Sequence, residues 1–190
     1  MIYKSTLFIN ACAREESRTL RLAEAAVERI GGLVDRLDLY AEDLRPLDAA
    51  GLAERDTLLA RGELSAHAFR YARQFAAADE IVIAAPYWDL SFPSILKCYI
   101  EAICVNGVTF CYNENGVPQG LCNARRVTYV TTAGGFLLPG DCGFGYIKQL
   151  CNGLFGIGEV TLVKAEGLDI VGADVKGILA SAEGKLKDIL

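Results

Sequence analysis

Hydrophobic residues along this chain fall into two alternating patterns, short continuous runs and longer stretches at helical spacing. The continuous runs are rich in small and β-branched residues, and they cover Thr6–Asn10, Ile81–Ala85, Val127–Thr132 and Glu159–Ala165. A run without polar alternation is typical of a strand that helices cover on both faces. Together with the alternating segment Leu33–Leu39, these runs predict five strands of one parallel sheet.

The segments between the strands carry apolar residues three and four positions apart, as amphipathic helices do. The main predicted helices are the segment from Ser17 to Ile30, Ser65–Ala78, the segment from Pro93 to Cys104, Ile147–Phe155 and Asp174–Leu190. This alternation predicts a single α/β domain over all 190 residues. We expect a doubly wound sheet with strand order 2-1-3-4-5 and helices on both faces.

Two segments interrupt the alternation. The segment 41–63 mixes charged residues with proline and glycine, so it predicts a surface excursion with one short helix near Leu52–Ala60. Such an excursion is either a solvated connector, or a lid or subunit contact. The segment 107–121 contains the sequence NENG, whose Asn-Gly step favours a tight turn, and it predicts a small β-hairpin insertion.

Composition narrows the possible partners. The net charge is -5 and the pI is about 5.0, which leaves no basic surface for nucleic acid or for anionic lipid. No apolar stretch approaches the roughly 20 residues that span a bilayer. The short apolar run after Lys4 enters a polar loop and lacks the features of a cleavable leader. We therefore expect a cytoplasmic protein that binds neither nucleic acid nor membrane.

The cysteines predict no disulfide framework and no metal centre. They number seven, no two are spaced as CxxC, and the one histidine is His67. An odd count without a motif is typical of reduced thiols in a cytoplasmic core, and it matches no zinc or iron–sulfur ligand set. We expect His67 to lie on the surface of its helix.

Three strand ends carry residues suited to a ligand. Hydroxyl groups at Ser17 and Thr19 open the first helix, aromatic rings and a carboxylate occupy 87–89, and glycines 134–135 follow the fourth strand. In the order 2-1-3-4-5 these ends are adjacent. Each has an alternative explanation: helix capping for the hydroxyls, which Glu15 and Glu16 favour, sheet-edge packing for the aromatics, and a tight turn for the glycines.

A phosphate site beside a planar slot fits a mononucleotide, and FMN is the one associated with this topology. A dinucleotide fold is disfavoured because no GxGxxG follows the first strand, and no Walker A loop occurs. A receiver domain is disfavoured because Asn10 and Pro86 stand where acidic residues are needed.

Two stretches resemble a known family. IVIAAPYWDLSFPSILKCYIE is similar to the strand, flavin loop and helix of the flavodoxin-like NAD(P)H dehydrogenases, which include FMN-dependent NADH azoreductases and quinone reductases. GVTFCYNENGVPQGL is similar to the hairpin of that family. The resemblance covers nearly the whole chain, and the combination of both stretches is more specific than either one.

The resemblance implies a set of FMN-binding residues. Ser17 and Thr19 would hold the phosphate, with Arg18 offsetting the nearby carboxylates. The isoalloxazine would be lined by Pro86, Tyr87, Trp88, Asp89 and Leu90, and its other polar edge by Thr132, Ala133, Gly134 and Gly135. The chain departs from the family at Asp89, where Asn is usual, and near Cys12, where a serine is common. A carboxylate at Asp89 would lower the flavin midpoint potential.

The resemblance also implies an activity. NADH or NADPH would reduce the flavin and leave, and a quinone, azo compound or other flat acceptor would then take the electrons in the same slot. The flavin would carry the chemistry, so no catalytic side chain is expected. Members of the family are homodimers, which would place helix 93–106 and hairpin 107–121 at the interface. The alternatives are a flavodoxin-type one-electron carrier and a flavin-free relic of the fold that binds a partner.

Overall fold

The computed structural model describes residues 4–140 and 142–190, and its centre is a five-stranded sheet. The sheet strands are β1 (Ser5–Asn10), β2 (Leu33–Asp38), β3 (Glu80–Ala84), β6 (Arg126–Thr132) and β7 (Glu159–Ala165). They pair in the order β2-β1-β3-β6-β7, and every pair is parallel. Counted within this sheet, the order is 2-1-3-4-5, which confirms the predicted flavodoxin-like fold class.

Helices cover both faces of the sheet. They are α1 (Arg18–Ile30), α2 (Ala49–Ala60), α3 (Arg70–Ala77), α4 (Ser94–Ile103), α5 (Phe144–Leu150) and α6 (Val175–Ile189). Helices α1 and α6 pack on one face, and α3, α4 and α5 pack on the other. Successive strand residues point to opposite faces, so Leu7 and Ile9 enter one core while Phe8 enters the other. Apolar residues on both faces explain the continuous runs in the sequence.

Helix α1 shows how local signals place the start of the first helix. Ser17 is its N-cap, with the Ser17 Oγ accepting a hydrogen bond of 3.3 Å from the Leu20 amide. The helix ends at Gly31, which adopts φ 69° and donates its N–H to the Val27 carbonyl. Local capping interactions therefore determine where α1 begins and ends.

Three predicted helices begin at a different residue in the structure. The segment Ser65–Ala78 is not one helix, because a 3-10 turn at His67–Phe69 precedes α3. Arg73 Nη1 donates to the Leu64 and Ala66 carbonyls at 2.9 and 2.7 Å, which stabilises a non-helical entry. His67 lies on the surface there, as predicted.

The helix expected over Ile147–Phe155 begins earlier, at Phe144, and its last turn is a π-helical turn, Cys151–Phe155. The π turn ends at Gly156, which is left-handed at φ 74°. The helix in the surface excursion also begins earlier than expected, at Ala49, because Asp48 is its N-cap.

The predicted hairpin is present but short. Its strands are β4 (Phe110–Tyr112) and β5 (Pro118–Gly120), which pair antiparallel. A Cβ at Gly120 would lie 2.0 Å from the carbonyl carbon of Phe155, so only glycine permits the hairpin to sit against the π turn. Among the helices that the structure describes, none is long and apolar enough to cross a membrane.

Candidate active site

The carboxyl ends of β1, β3 and β6 meet at one edge of the sheet and enclose a cavity of about 370 Å³. Its wall consists of Ala13, Arg14, Glu16, Ser17, Arg18, Thr19, Pro86, Tyr87, Trp88, Thr132, Ala133, Gly134, Leu168 and Asp169. The structure therefore brings together most of the residues singled out in the sequence. Cys12, Asp89, Leu90 and Gly135 lie outside this wall.

The first corner of the cavity is the N-terminus of α1. Ser17, Arg18 and Thr19 all line it, and the first turn contains no acidic residue. The first N–H groups of a helix have no partner within the helix, and the helix dipole adds positive potential there. Ser17 does cap the helix, so the capping explanation is correct. It is compatible with an anion site because one hydroxyl satisfies only one of these amides.

A pair of buried hydroxyls joins this corner to the opposite wall. Thr19 Oγ1 and Thr132 Oγ1 are 2.7 Å apart, and the two residues are only 1% and 8% exposed. The hydrogen bond connects the first turn of α1 to the last residue of β6. Because both hydroxyls are buried, water does not compete for this hydrogen bond. The bond therefore holds these two parts of the cavity wall together.

The loop after β3 forms the wall between them. The Tyr87 amide donates to the Thr132 carbonyl at 3.0 Å, which extends the β3–β6 pairing beyond the strands. Tyr87 Oη is buried and has no hydrogen-bond partner among the residues that the structure describes. Trp88 lines the cavity with 41% of its surface exposed.

Asp89 and Leu90 form a strained turn at the rim of the cavity. Trp88 and Ser91 exchange hydrogen bonds between their backbones, and both central residues are left-handed, with φ 51° at Asp89 and 64° at Leu90. Two consecutive positive φ angles are characteristic of a type I′ turn. Asp and Asn both tolerate this conformation, whereas a leucine in it is strained. The turn is held by the Leu90 carbonyl, which accepts a 3.0 Å bond from the Cys142 amide.

Cys12 is buried and does not line the cavity. It is 5% exposed, and its amide donates to Asn10 Oδ1 at 2.9 Å. Burial is the main cause that raises the pKa of the Cys12 thiol to about 11. The thiol is therefore neutral at physiological pH and supports the loop between β1 and α1.

The loop after β7 supplies two wall residues, Leu168 and Asp169, that the sequence reasoning missed. Its backbone runs alongside the glycine pair and is hydrogen-bonded to it. The Gly167 amide donates to the Gly135 carbonyl at 2.7 Å, and the Asp169 amide donates to the Gly134 carbonyl at 2.9 Å. The available signal was the position of AEGLDI after the fifth strand, because every parallel strand ends at this same edge.

This loop also explains why residue 134 is glycine. A Cβ at Gly134 would lie 2.3 Å from Asp169 Oδ2, so the side chain of Asp169 occupies that space. At Gly135 a Cβ would meet nothing within 4 Å. The glycine pair therefore serves loop packing at its first position and leaves open space at its second.

A family model described as flavodoxin-like fold matches residues 4–190. The chain belongs to this flavodoxin-like family. FMN-dependent NADH:quinone oxidoreductase 2 of Clostridium acetobutylicum is 38% identical over 194 residues, covering 96% of each chain. The crystal structure of azoreductase AzrA superimposes with a TM-score of 0.82 at 25% identity, covering 97% of each chain.

A third comparison adds a ligand-bound member of the same fold. The FMN-dependent NADH-azoreductase from Bacillus anthracis str. Ames Ancestor, solved in complex with FMN, has a TM-score of 0.82 and 23% identity over 97% of this chain and 96% of its own. At that identity the likeness shows the fold alone. The flavodoxin-like assignment confirms the resemblance drawn from the central loop and the hairpin.

Proposed function

We propose that this chain is an FMN-dependent oxidoreductase that passes hydride from NADH or NADPH to a quinone, an azo compound or another flat acceptor. The observation that carries the proposal is the single cavity in which the α1 corner, the aromatic loop and the β6 end meet. The Clostridium acetobutylicum relative, named as an FMN-dependent NADH:quinone oxidoreductase, supports FMN, NADH and a quinone. The AzrA likeness at 25% identity supports azo acceptors.

The residues present fit FMN. The cavity volume lies within the ~300–1,000 Å³ typical of small-molecule sites. The amides of the α1 N-terminus, with Ser17, Arg18 and Thr19, would hold the phosphate. Tyr87 and Trp88 add two aromatic residues to the same wall, which suits a planar ligand.

A bound flavin supplies the hydride chemistry, so the side chains need only bind, orient and shield. Pro86, Tyr87 and Trp88 would form one wall of a planar slot, and the backbone of Ala133 and Gly134 would form the other. Holding one flat reactant at a time against the flavin ring would contribute to catalysis by positioning it.

We also propose that the protein is a homodimer through helix 93–106 and hairpin 107–121. The hairpin carries three large apolar side chains, Tyr112, Val117 and Leu121, which are 57%, 53% and 43% exposed. Clustered exposed apolar residues mark interaction surfaces. A cytoplasmic location is part of the proposal, because all seven cysteines are free thiols that a reducing compartment preserves.

The test begins with purified protein titrated with FMN while the quenching of flavin fluorescence is followed. Binding is expected, and a protein that takes up no FMN would leave only the flavin-free alternative. Anaerobic stopped-flow mixing with NADH, and separately with NADPH, then measures flavin reduction at its visible absorbance. Fast reduction, followed by reoxidation with a benzoquinone or with methyl red, is expected; no reduction by either nucleotide would favour the one-electron carrier.

A further inference from the structure

An ion pair lies at the phosphate corner of the cavity. Arg18 Nη1 is 2.8 Å from Asp169 Oδ1, and it also lies 3.4 Å from the Leu168 carbonyl. Arg18 is the first residue of α1, and Asp169 belongs to the loop after β7. Both side chains line the cavity, so the pair lies where an incoming anion has to bind.

The surroundings decide how firmly the pair holds. The Arg18 side chain is 43% exposed and that of Asp169 is 71% exposed. Exposed ion pairs contribute little, because water screens them. A phosphate is a stronger acceptor, since it carries about two charges and three oxygens that a guanidinium can bind with two parallel hydrogen bonds. The arginine can therefore exchange one anion for the other.

The backbone of Asp169 is held at the cavity wall. Its amide donates to the Gly134 carbonyl at 2.9 Å, and its carboxylate packs over the Cα of Gly134. A carboxylate in this position competes with a bound phosphate for Arg18. The remaining charges of the wall, Arg14 and Glu16, are of opposite sign and offset each other.

We propose that Asp169 is a specificity-determining residue that holds Arg18 in the ligand-free site and competes with the phosphate of the ligand for its guanidinium. The inference rests on the proposed function and deepens it. Asp169 sets how tightly the site binds the 5′-phosphate of FMN relative to riboflavin, which has the same ring and side chain without the phosphate. Its effect is exerted through the guanidinium of Arg18.

The test compares FMN and riboflavin binding by fluorescence quenching in wild-type protein and in Asp169→Asn, Arg18→Gln and the double variant. Removing the carboxylate charge is expected to tighten FMN binding about three- to tenfold and to leave riboflavin binding within about twofold. In the Arg18→Gln background, the same change is expected to have little effect on FMN. Glu183→Gln is the matched control, because Glu183 pairs with Arg21 of α1 at 3.3 Å outside the cavity wall.

The outcomes separate this inference from the proposed function. Wild-type protein that binds neither flavin overturns the proposed function, and the inference with it. If flavins bind but Asp169→Asn leaves FMN affinity unchanged, or changes riboflavin affinity equally, the inference alone is overturned. If Asp169→Asn still tightens FMN binding in the Arg18→Gln background, the carboxylate acts on the phosphate directly, and the role of the ion pair is overturned. If Glu183→Gln tightens FMN binding equally, the gain comes from net charge, and the role of the ion pair is overturned as well.

Discussion

The buried hydroxyl pair of Thr19 and Thr132 leads us to expect that valine substitutions at two neighbouring threonines, 131 and 132, differ in their effect on the free energy of unfolding. In the wild-type protein the two hydroxyls are 2.7 Å apart. Thr132→Val removes one of them and leaves the hydroxyl of Thr19, a residue that is only 1% exposed, without a hydrogen-bond partner. An unpaired buried hydroxyl costs about 1–3 kcal/mol. In a chain of this length that loss lowers Tm by roughly 2–4 °C per kcal/mol.

Thr131→Val is the matched control in the same strand. Thr131 is fully buried, and its hydroxyl has no hydrogen-bond partner among the residues that the structure describes. Replacing a hydroxyl that is already unpaired by a methyl group is expected to be neutral, or to stabilise by up to about 1 kcal/mol. The two substitutions are chemically identical, and the Thr19–Thr132 hydrogen bond is the polar interaction that only one of them removes.

The assay is the free energy of unfolding from urea denaturation, with Tm from circular dichroism as a second measure. The double variant Thr19→Val/Thr132→Val is expected to be more stable than the sum of the single variants predicts, by about 0.5–3 kcal/mol, because no hydroxyl is left unpaired. Additive single variants, or equal effects of Thr131→Val and Thr132→Val, would refute the reasoning. FMN affinity in the double variant then reports whether the hydroxyls also contact the ligand.

Three further predictions concern charged groups. Glu80→Ala should cost about 1.5–3 kcal/mol in urea denaturation, because Glu80 is 3% exposed and pairs with Arg126 at 3.1 Å, which would keep only the more distant Glu159 at 3.6 Å; a loss below about 1 kcal/mol would contradict this. The Ser5 amide, and then its hydroxyl, lower the pKa of Asp79. Wild-type stability should therefore fall more steeply than that of Asp79→Asn as pH decreases below about 4, and parallel curves would argue against the assignment. Asp89→Asn should raise the flavin midpoint potential in a redox titration, and an unchanged or lower value would disprove that effect.

Much of the fold could be predicted because it depends on patterns that are local in the chain. The apolar runs at 6–10, 81–85 and 127–132 are continuous since each strand is covered on both faces. Helix ends were less predictable. The π turn after α5 depends on contacts with Gly120, which is distant in the sequence, and no local periodicity reports them.

The candidate site divides in the same way. Hydroxyls before a helix, aromatics after a strand and the Gly134–Gly135 pair could be recognised along the chain, because strand ends in this topology converge at one edge. The position of Asp169 in the wall could not be recognised along the chain. It depends on contacts with Arg18 at the start of α1 and with Gly134 in the loop after β6, which are distant in the sequence. The sequence suggested an electrostatic role for Asp89, whereas the structure shows that the residue also carries a left-handed turn.

The sequence by itself determined the fold class, the sheet order and the edge of the sheet where the candidate site lies, and the resemblance of two stretches to a known family indicated the family. The first three follow from periodicity and from residue types at strand ends, which are properties of neighbouring residues. Only the tertiary structure decided which side chains face the cavity and how Arg18 is held there. Such contacts join residues 151 positions apart, and their geometry depends on how the loops pack after the sheet has formed.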